Sequence, residues 1–228
     1  MQYMFDTANI ADIEKYGALV PYTGVTSNPS IIKKEGAIDF FAHFRRIREI
    51  IGFERSLHIQ VLAEDCEGIL ADAEAILKNV DDQVFIKIPV TMEGLKAMQM
   101  LKSKGVGVTA TAIYTRVQGY MAMEAGADFI APYFNRMENL DIDPRAVISD
   151  FAAAIDTYGY QTIILAASFK NMGQVNDAFA CGAQAATMGI DVLTGAFAMP
   201  SIKKAVDDFA ADWYATFGPG ATIPGQAK

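Results

Sequence analysis

Apolar and polar positions along the chain change period repeatedly, from short runs typical of β-strands to longer stretches with helical spacing. Eight runs predict strands, at residues 2–6, 24–28, 57–63, 83–90, 106–113, 128–134, 162–168 and 185–190. Eight helical patterns follow them, at residues 10–18, 39–51, 67–78, 93–104, 116–125, 144–158, 172–181 and 201–217. Strands that alternate with helices form parallel sheets through right-handed crossovers, and eight such units close into a barrel. We therefore predict an α/β fold, a single-domain (β/α)8 TIM barrel.

An open, doubly wound sheet is the alternative architecture. Such a sheet usually carries a glycine-rich phosphate loop after its first strand. The corresponding segment here, "FDTANIADI", contains no glycine. The barrel is therefore the favoured prediction, over residues 1–217 with a C-terminal helix, followed by a Gly/Pro-rich tail at 218–228.

Composition narrows the class of protein. The chain has 228 residues, 52% of them hydrophobic and 20% charged, which suits a globular domain with a large core. The net charge of −8 and the lack of a basic patch argue against a nucleic-acid partner. The segment "HFRRIRE" at 43–49 is interpreted as a solvated helix face.

Cysteine and histidine usage gives no metal or disulfide signature. Cys66 and Cys181 lie far apart, and His43 and His58 are the only histidines, so neither a disulfide scaffold nor a zinc site is expected. The N-terminus lacks the basic and apolar regions of a signal peptide, and no apolar run approaches the roughly 20 residues of a membrane span. We expect a cytoplasmic protein without a membrane partner.

Polar side chains recur at the ends of the predicted strands, where the active sites of barrels lie. They are Asp6, Thr26, Asn28, Gln60, Lys87, Thr109, Thr111, Tyr133, Arg136, Ser168 and Lys170. Each has a structural explanation alone, such as a helix cap, a turn former, a core aromatic residue or a surface ion pair. Together, at one rim of one barrel, they predict a functional site.

Lys87 stands in the most apolar of these strands, "VFIKIPV". An edge gatekeeper is one explanation, but a closed barrel has no edge. A side chain that extends to water and a buried ion pair with Asp6 are two others. The fourth is a nucleophile, because burial disfavours the ammonium form of an amine and a neutral amine can attack a ketone to form a Schiff base.

A second group of residues suits an anion. Arg136 offers a planar fork of donors, and Ser168 and Lys170 precede a helix predicted to begin near Asn171. The N–H groups and the dipole at a helix start favour a phosphate, and barrels often bind phosphate after the seventh or eighth strand.

The motifs "FDTAN", "GVTSNPSII", "FIKIPVTMEGLKA", "APYFNR" and "LAASFK" resemble the small transaldolase family, most closely its fructose-6-phosphate aldolase branch. The resemblance implies a (β/α)8 barrel that forms a Schiff base without a metal or organic cofactor, often as a pentamer or decamer. It implies that Lys87 is the Schiff-base lysine and that Asp6 assists proton transfer. Asn28 and Thr26 would bind the dihydroxyacetone moiety, and Arg136, Ser168 and Lys170 would bind the phosphate.

Two positions separate the branches of the resembled family. Where transaldolases carry glutamate and phenylalanine, this chain has Gln60 and Tyr133, as the aldolases do. Tyr133 would then be the general acid/base acting through a water that Gln60 and Thr111 hold. The loop after Arg136, "MENLDIDPRAV", departs from the glycine-rich loop of the aldolases, and Thr109 stands where relatives differ.

The expected activity is a class I aldolase that cleaves fructose 6-phosphate to dihydroxyacetone and glyceraldehyde 3-phosphate. A transaldolase that moves the same unit between sugar phosphates is the alternative. A non-catalytic sugar-phosphate-binding barrel is more distant. A proton-transfer isomerase is disfavoured, since it needs no buried lysine and we expect no catalytic histidine or glutamate beside Lys87.

Overall fold

The protein forms a closed barrel of eight parallel strands joined in chain order. The structure, a computed structural model, describes residues 1–227. The strands are β1 (Gln2–Asp6), β2 (Gly24–Thr26), β3 (Ser56–Gln60), β4 (Phe85–Pro89), β5 (Val108–Ile113), β6 (Phe129–Pro132), β7 (Ile163–Ala166) and β8 (Ala185–Met188). Each strand pairs with the next, and β8 pairs with β1. The predicted TIM barrel is confirmed.

Eleven α-helices surround the strands in the part of the chain described. They are α1 (Ile10–Gly17), α2 (Pro29–Ile32), α3 (Phe40–Ile51), α4 (Cys66–Asn79), α5 (Met92–Lys102), α6 (Arg116–Glu124), α7 (Phe134–Glu138), α8 (Pro144–Tyr158), α9 (Met172–Ala180), α10 (Ile190–Phe197) and α11 (Pro200–Phe217). Short 3-10 turns occupy Lys33–Glu35 and Pro224–Gln226.

Local sequence signals set the helix ends. Asp143 caps α8 by accepting a hydrogen bond from the Arg145 N–H, and Pro144 fills the first turn, where its missing donor costs nothing. Gly159 ends the same helix in the left-handed conformation, with φ of 71°. Thr91 caps α5 in the same way as Asp143 caps α8, accepting from the Gly94 N–H. These capping residues fix where α5 begins and where α8 begins and ends.

Alternation along the strands divides the apolar residues between two cores. Residues of one parity, such as Val25, Ile59 and Ile86, face the helices and belong to the main core. Residues of the other parity fill the inside of the barrel, where Met4 and Phe129 pack in a separate cluster with Leu165, Ala185 and Phe85. The polar residues at the carboxyl ends of the strands share the parity of this inner set.

Three short helices were not predicted. α2, α7 and α10 begin within three residues of a strand end, and α2 and α7 are only four and five residues long. Segments this short hold too few positions for a helical period to be recognised. The predicted strands at 24–28 and 185–190 therefore ran into the caps and first residues of α2 and α10.

The tail beyond α11 folds back on that helix. The Trp213 indole N–H donates to the Ala221 carbonyl oxygen at 2.9 Å, and the Trp213 and Phe217 rings lie 4.2 Å apart. The last tail residue, 228, lies outside the described residues. Within residues 1–227 no helix combines the length and apolarity needed to cross a bilayer. The same residues contain no cluster of three or more His, Cys, Asp or Glu side chains suited to a metal ion.

Candidate functional site

Lys87 lies inside the barrel, in the middle of β4. Its Cα pairs with Gln60 on one side and with Thr109 on the other. Only 2% of the residue is exposed, and Nζ donates to the Ser27 carbonyl oxygen at 3.2 Å. The side chain does not extend to water. The only acceptor found for its amine among residues 1–227 is that neutral carbonyl oxygen, so the ion pair with Asp6 is not formed.

The Asp6 carboxylate instead terminates a chain of hydroxyl groups. The Thr26 hydroxyl donates to Asp6 Oδ1 at 2.7 Å, and the Thr26 and Thr187 hydroxyls lie 2.6 Å apart. A threonine has one hydroxyl proton, so Thr187 is the donor to Thr26. Thr26 and Thr187 are buried, and this chain links β1, β2 and β8 inside the barrel. It orients one carboxylate oxygen and leaves the other free for a ligand.

A second hydroxyl pair joins β5 to the end of β6. The Thr111 hydroxyl lies 3.0 Å from the Tyr133 hydroxyl, and both residues are buried. A register shift between Ala110 and Ile113 interrupts the pairing of β5 with β6, and Ala112 there has φ of 56°. Irregularities of this kind re-aim side chains beside active sites. Thr111, predicted to hold a water for Tyr133, thus contacts the Tyr133 hydroxyl directly.

Gln60 on β3 pairs in register with Lys87 on β4 and carries a side-chain acceptor without a protein partner among residues 1–227. Its Oε1 atom is buried and has no protein hydrogen-bond partner among residues 1–227. A buried carbonyl oxygen without a partner costs about 1–3 kcal/mol, so such atoms usually bind water or a ligand. Gln60 therefore suits the role of holding a water or a substrate hydroxyl.

Arg136 lies at the mouth of the barrel above Tyr133. Its guanidinium carbon is 4.7 Å from the centre of the Tyr133 ring, and Nη1 donates to the Tyr114 hydroxyl at 3.3 Å. That hydrogen bond, with the neighbouring Tyr133 and Asp6 groups, raises the pKa of Arg136. The side chain stays cationic and is exposed toward solvent. The surface pair of Arg136 with Glu138 is not formed, because Glu138 binds Arg145.

The other proposed anion ligands lie on the loop after β7. Ser168 is half-buried with φ of 64°, and Lys170 is exposed. α9 begins at Met172 with Asn171 as its cap, as predicted. Two N–H groups here are already bonded within the protein, Lys170 N to Gln174 Oε1 and Gln174 N to Asn171 Oδ1. Because these two backbone donors are already used, binding of an anion here depends mainly on side chains.

Asn28 has a structural role in this structure. Its Oδ1 accepts from the Ile31 N–H at 3.1 Å and caps α2. The cap fixes the side chain at the end of β2, next to the loop whose Ser27 carbonyl binds Lys87. The amide nitrogen is the part of Asn28 that a ligand would contact.

His58 is the site residue that sequence reasoning missed. It is fully buried inside the barrel, stacked on Phe85 at 4.9 Å and edge-on to Phe129. Its Nδ1 lies 2.7 Å from the Thr109 hydroxyl and its Nε2 lies 2.8 Å from the Ser56 hydroxyl. Its place on the same strand face as Gln60 was the available signal.

Burial is the main cause that lowers the pKa of His58 to about 3. A histidine thus lies near Lys87, on the neighbouring strand β3. His58 is nevertheless neutral near pH 7, and both ring nitrogens are bonded to protein hydroxyls. It is therefore not available as a general acid/base. It lies one layer deeper in the barrel than Lys87, in register with Phe85.

The barrel interior thus presents a buried primary amine together with a carboxylate, several hydroxyl groups and an amide oxygen that has no protein partner among residues 1–227. The mouth presents one cationic guanidinium group. A ketone that reached Lys87 would meet a nucleophile and several groups able to move protons. This combination suits imine chemistry on a small polyol that carries an anionic group.

Comparison with known proteins identifies relatives of the chain. The family model described as "Transaldolase/Fructose-6-phosphate aldolase" matches residues 3–219. A protein of Streptococcus pneumoniae (strain ATCC 700669 / Spain 23F-1) named "Probable fructose-6-phosphate aldolase" is 55% identical over 214 residues. That match covers 94% of this chain and 96% of the relative.

Proposed function

Because the chain belongs to the transaldolase and fructose-6-phosphate aldolase family, we propose that it is a Schiff-base aldolase acting on fructose 6-phosphate. It cleaves this ketose phosphate to dihydroxyacetone and glyceraldehyde 3-phosphate and catalyses the reverse addition. The observation that carries the proposal is Lys87, an amine that is 2% exposed inside a barrel and flanked in register by Gln60 and Thr109.

The reaction begins when the neutral Lys87 amine attacks C2 of the substrate. The carbinolamine that forms loses its hydroxyl as water and becomes an iminium ion, which needs one proton to be delivered to the leaving oxygen. In this proposal the Tyr133 hydroxyl, which is bonded to Thr111, supplies that proton directly or through one water. Gln60 Oε1 is the free acceptor that holds this water.

Cleavage of the C3–C4 bond follows. A base takes the proton from the C4 hydroxyl, the bond electrons move into the iminium to give an enamine, and glyceraldehyde 3-phosphate leaves. Asp6 has one carboxylate oxygen engaged by Thr26, and its other oxygen binds the substrate hydroxyl. Asn28 and Thr26 hold the three-carbon fragment that stays on Lys87.

Release of dihydroxyacetone reverses the first steps. The enamine takes a proton at C3 to become an iminium, and water adds to C2 and displaces the Lys87 amine. Tyr133 and its bound water serve this hydrolysis, so the enzyme does not depend on a second aldehyde to regain its free amine. Arg136, Ser168 and Lys170 bind the phosphate of the sugar at the barrel mouth.

A coupled assay separates this activity from transaldolase activity. Glyceraldehyde 3-phosphate formation from fructose 6-phosphate is measured with and without erythrose 4-phosphate as acceptor. The proposal predicts turnover without the acceptor. Turnover only when erythrose 4-phosphate is present would make the protein a transaldolase, and no turnover in either assay would favour a binding protein.

Assembly and location complete the proposal. The barrel with α11 over residues 1–217 would be the catalytic domain and 218–228 an appended tail, in a homo-oligomer, a pentamer or decamer. Ile202, Val206 and Phe209 support the assembly because they lie exposed on one face of α11. A cytoplasmic setting is supported by two free cysteines, a usage typical of reducing compartments.

A further inference from the structure

Two loops carry the proposed phosphate ligands, and one buried side chain joins them. Gln174 lies in the first turn of α9 and is 8% exposed. Its Nε2 donates to Asn135 Oδ1 at 3.1 Å and to Glu138 Oε2 at 2.5 Å. Its Oε1 accepts from the Lys170 N–H at 2.8 Å. The amide thus binds the residues that flank Arg136 on α7 and the backbone of Lys170 on the next loop.

We propose that Gln174 is a positioning residue that holds Arg136 and Lys170 at the spacing a substrate phosphate requires. The inference rests on the proposed function, because it takes the phosphate group of the sugar as the ligand of these loops. Gln174 itself need not touch the substrate.

Backbone hydrogen bonds join the two loops only near the ends of β6 and β7, where the loops leave the strands. Phe134 N donates to the Ala167 carbonyl oxygen, and Asn135 N donates to the Ser168 carbonyl oxygen. The start of α7 also packs on the next loop through the Phe134 and Phe169 rings, 5.8 Å apart, and its last residue, Glu138, is the end that a polar contact from α9 reaches. Gln174 supplies that contact from within the protein.

A second bridge runs along the surface. Arg145 on α8 binds Glu138 and also Asp177 on α9. Its side chain is 44% exposed, and exposed ion pairs contribute little to stability. The buried amide of Gln174, with both its oxygen and its nitrogen engaged, is therefore the polar side-chain contact that we expect to set the spacing of the two loops.

The amide is required because it accepts and donates at once. Gln174→Glu keeps an oxygen for the Lys170 N–H but loses the donor to Asn135 and places a carboxylate beside Glu138. It therefore keeps the link to the Lys170 backbone and breaks the link to α7. Gln174→Met, of similar length and without charge, removes both links.

The experiment compares two acceptor aldehydes that differ only by the phosphate. The addition of dihydroxyacetone to glyceraldehyde 3-phosphate and to glyceraldehyde is measured for each variant. Both Gln174 variants should lower kcat/KM for the phosphorylated acceptor roughly 10-fold, mainly through KM, since misplacement by about 1 Å can cost up to about 100-fold. The reaction with glyceraldehyde should stay within about twofold of the wild type, because no group at Lys87 is altered.

Two further variants serve as the control and as the rescue for this experiment. Gln99→Glu, the same change on the exposed face of α5, should match the wild type with both acceptors. Gln174→Glu combined with Glu138→Gln restores an amide–carboxylate pair with donor and acceptor exchanged, and it should recover most of the lost kcat/KM.

An unchanged KM for glyceraldehyde 3-phosphate in both Gln174 variants overturns the inference. So does an equal loss with both acceptors that the double variant fails to rescue, because this is general damage to the barrel. Wild-type protein that turns over neither acceptor contradicts the proposed function itself. Wild-type turnover with an intact phosphate preference in the Gln174 variants contradicts the positioning role alone.

Discussion

At the scale of single residues, the site depends on the hydrogen bonds that orient each reactive group. Nζ of Lys87 donates to the neutral carbonyl oxygen of Ser27. The carboxylate of Asp6 is held by Thr26, and the Tyr133 hydroxyl is held by Thr111. The proposed acid/base groups are thus oriented by partners that are themselves buried.

Tyr133→Phe should separate imine formation from turnover. The change removes the hydroxyl bonded to Thr111 but keeps the ring beneath Arg136. General acid/base catalysis contributes about 100- to 10,000-fold, so cleavage of fructose 6-phosphate should fall within that range. At equilibrium the borohydride-trapped adduct with dihydroxyacetone should reach nearly the same extent, because a general acid changes the rate of imine formation and not its equilibrium. Equal turnover by the variant and the wild type would remove Tyr133 from the mechanism.

His58 should make the folded protein sensitive to acid. Its pKa falls from 6.5 to about 3 on burial, so below about pH 6.5 the unfolded chain takes up a proton that the folded protein does not. The free energy of unfolding should therefore fall as pH drops from 6.5 toward 3, by at most about 1.4 kcal/mol per pH unit for this one group. Above pH 6.5 the contribution is constant.

Urea unfolding of His58→Phe between pH 7 and pH 4 tests this dependence. Phenylalanine keeps the stacking on Phe85 and Phe129 but cannot take up a proton, so the variant should lose stability less steeply than the wild type. His43→Gln, which changes the other histidine, is the matched control and should keep the wild-type slope. Parallel slopes for His58→Phe and the wild type would contradict the assignment.

At the scale of elements, the sequence predicted the strands and long helices and missed the detail at their ends. The periodicity of apolar residues predicted all eight strands, and α8 was predicted with its observed bounds. The contacts of the site were less predictable. The bond from Lys87 to the Ser27 carbonyl and the bond from His58 to Thr109 join residues 60 and 51 positions apart. Barrel closure and register create these pairs, and neither is a local property of the sequence.

Two glycines in helices should respond to alanine in opposite directions. A Cβ at Gly119 would collide with the ring of Phe151, where α6 packs on α8. Gly119→Ala should therefore destabilise the protein by about 1–3 kcal/mol. Gly195 in α10 has open space around its Cα, so Gly195→Ala should stabilise it by about 0.5–1 kcal/mol. Shifts of the same sign in the urea midpoint would contradict this packing.

At the scale of the whole molecule, the apolar face of α11 should govern assembly. Val206 and Phe209 are 60% and 72% exposed in the single chain. Val206→Asp with Phe209→Asp should lower the molar mass measured by light scattering after size-exclusion chromatography. Ala211→Asp, on the opposite face of the helix, should leave it unchanged. An unaltered mass in the double variant would show that this face does not hold the oligomer together.

The central claim is that this barrel places an amine at its centre to form a covalent imine with a ketose. Borohydride reduction in the presence of dihydroxyacetone, followed by peptide mass analysis, tests that claim most directly. We expect one reduced three-carbon adduct per chain, on Lys87, and none in Lys87→Met. A folded wild-type protein that gains no adduct, or that is labelled at another lysine, would contradict the account.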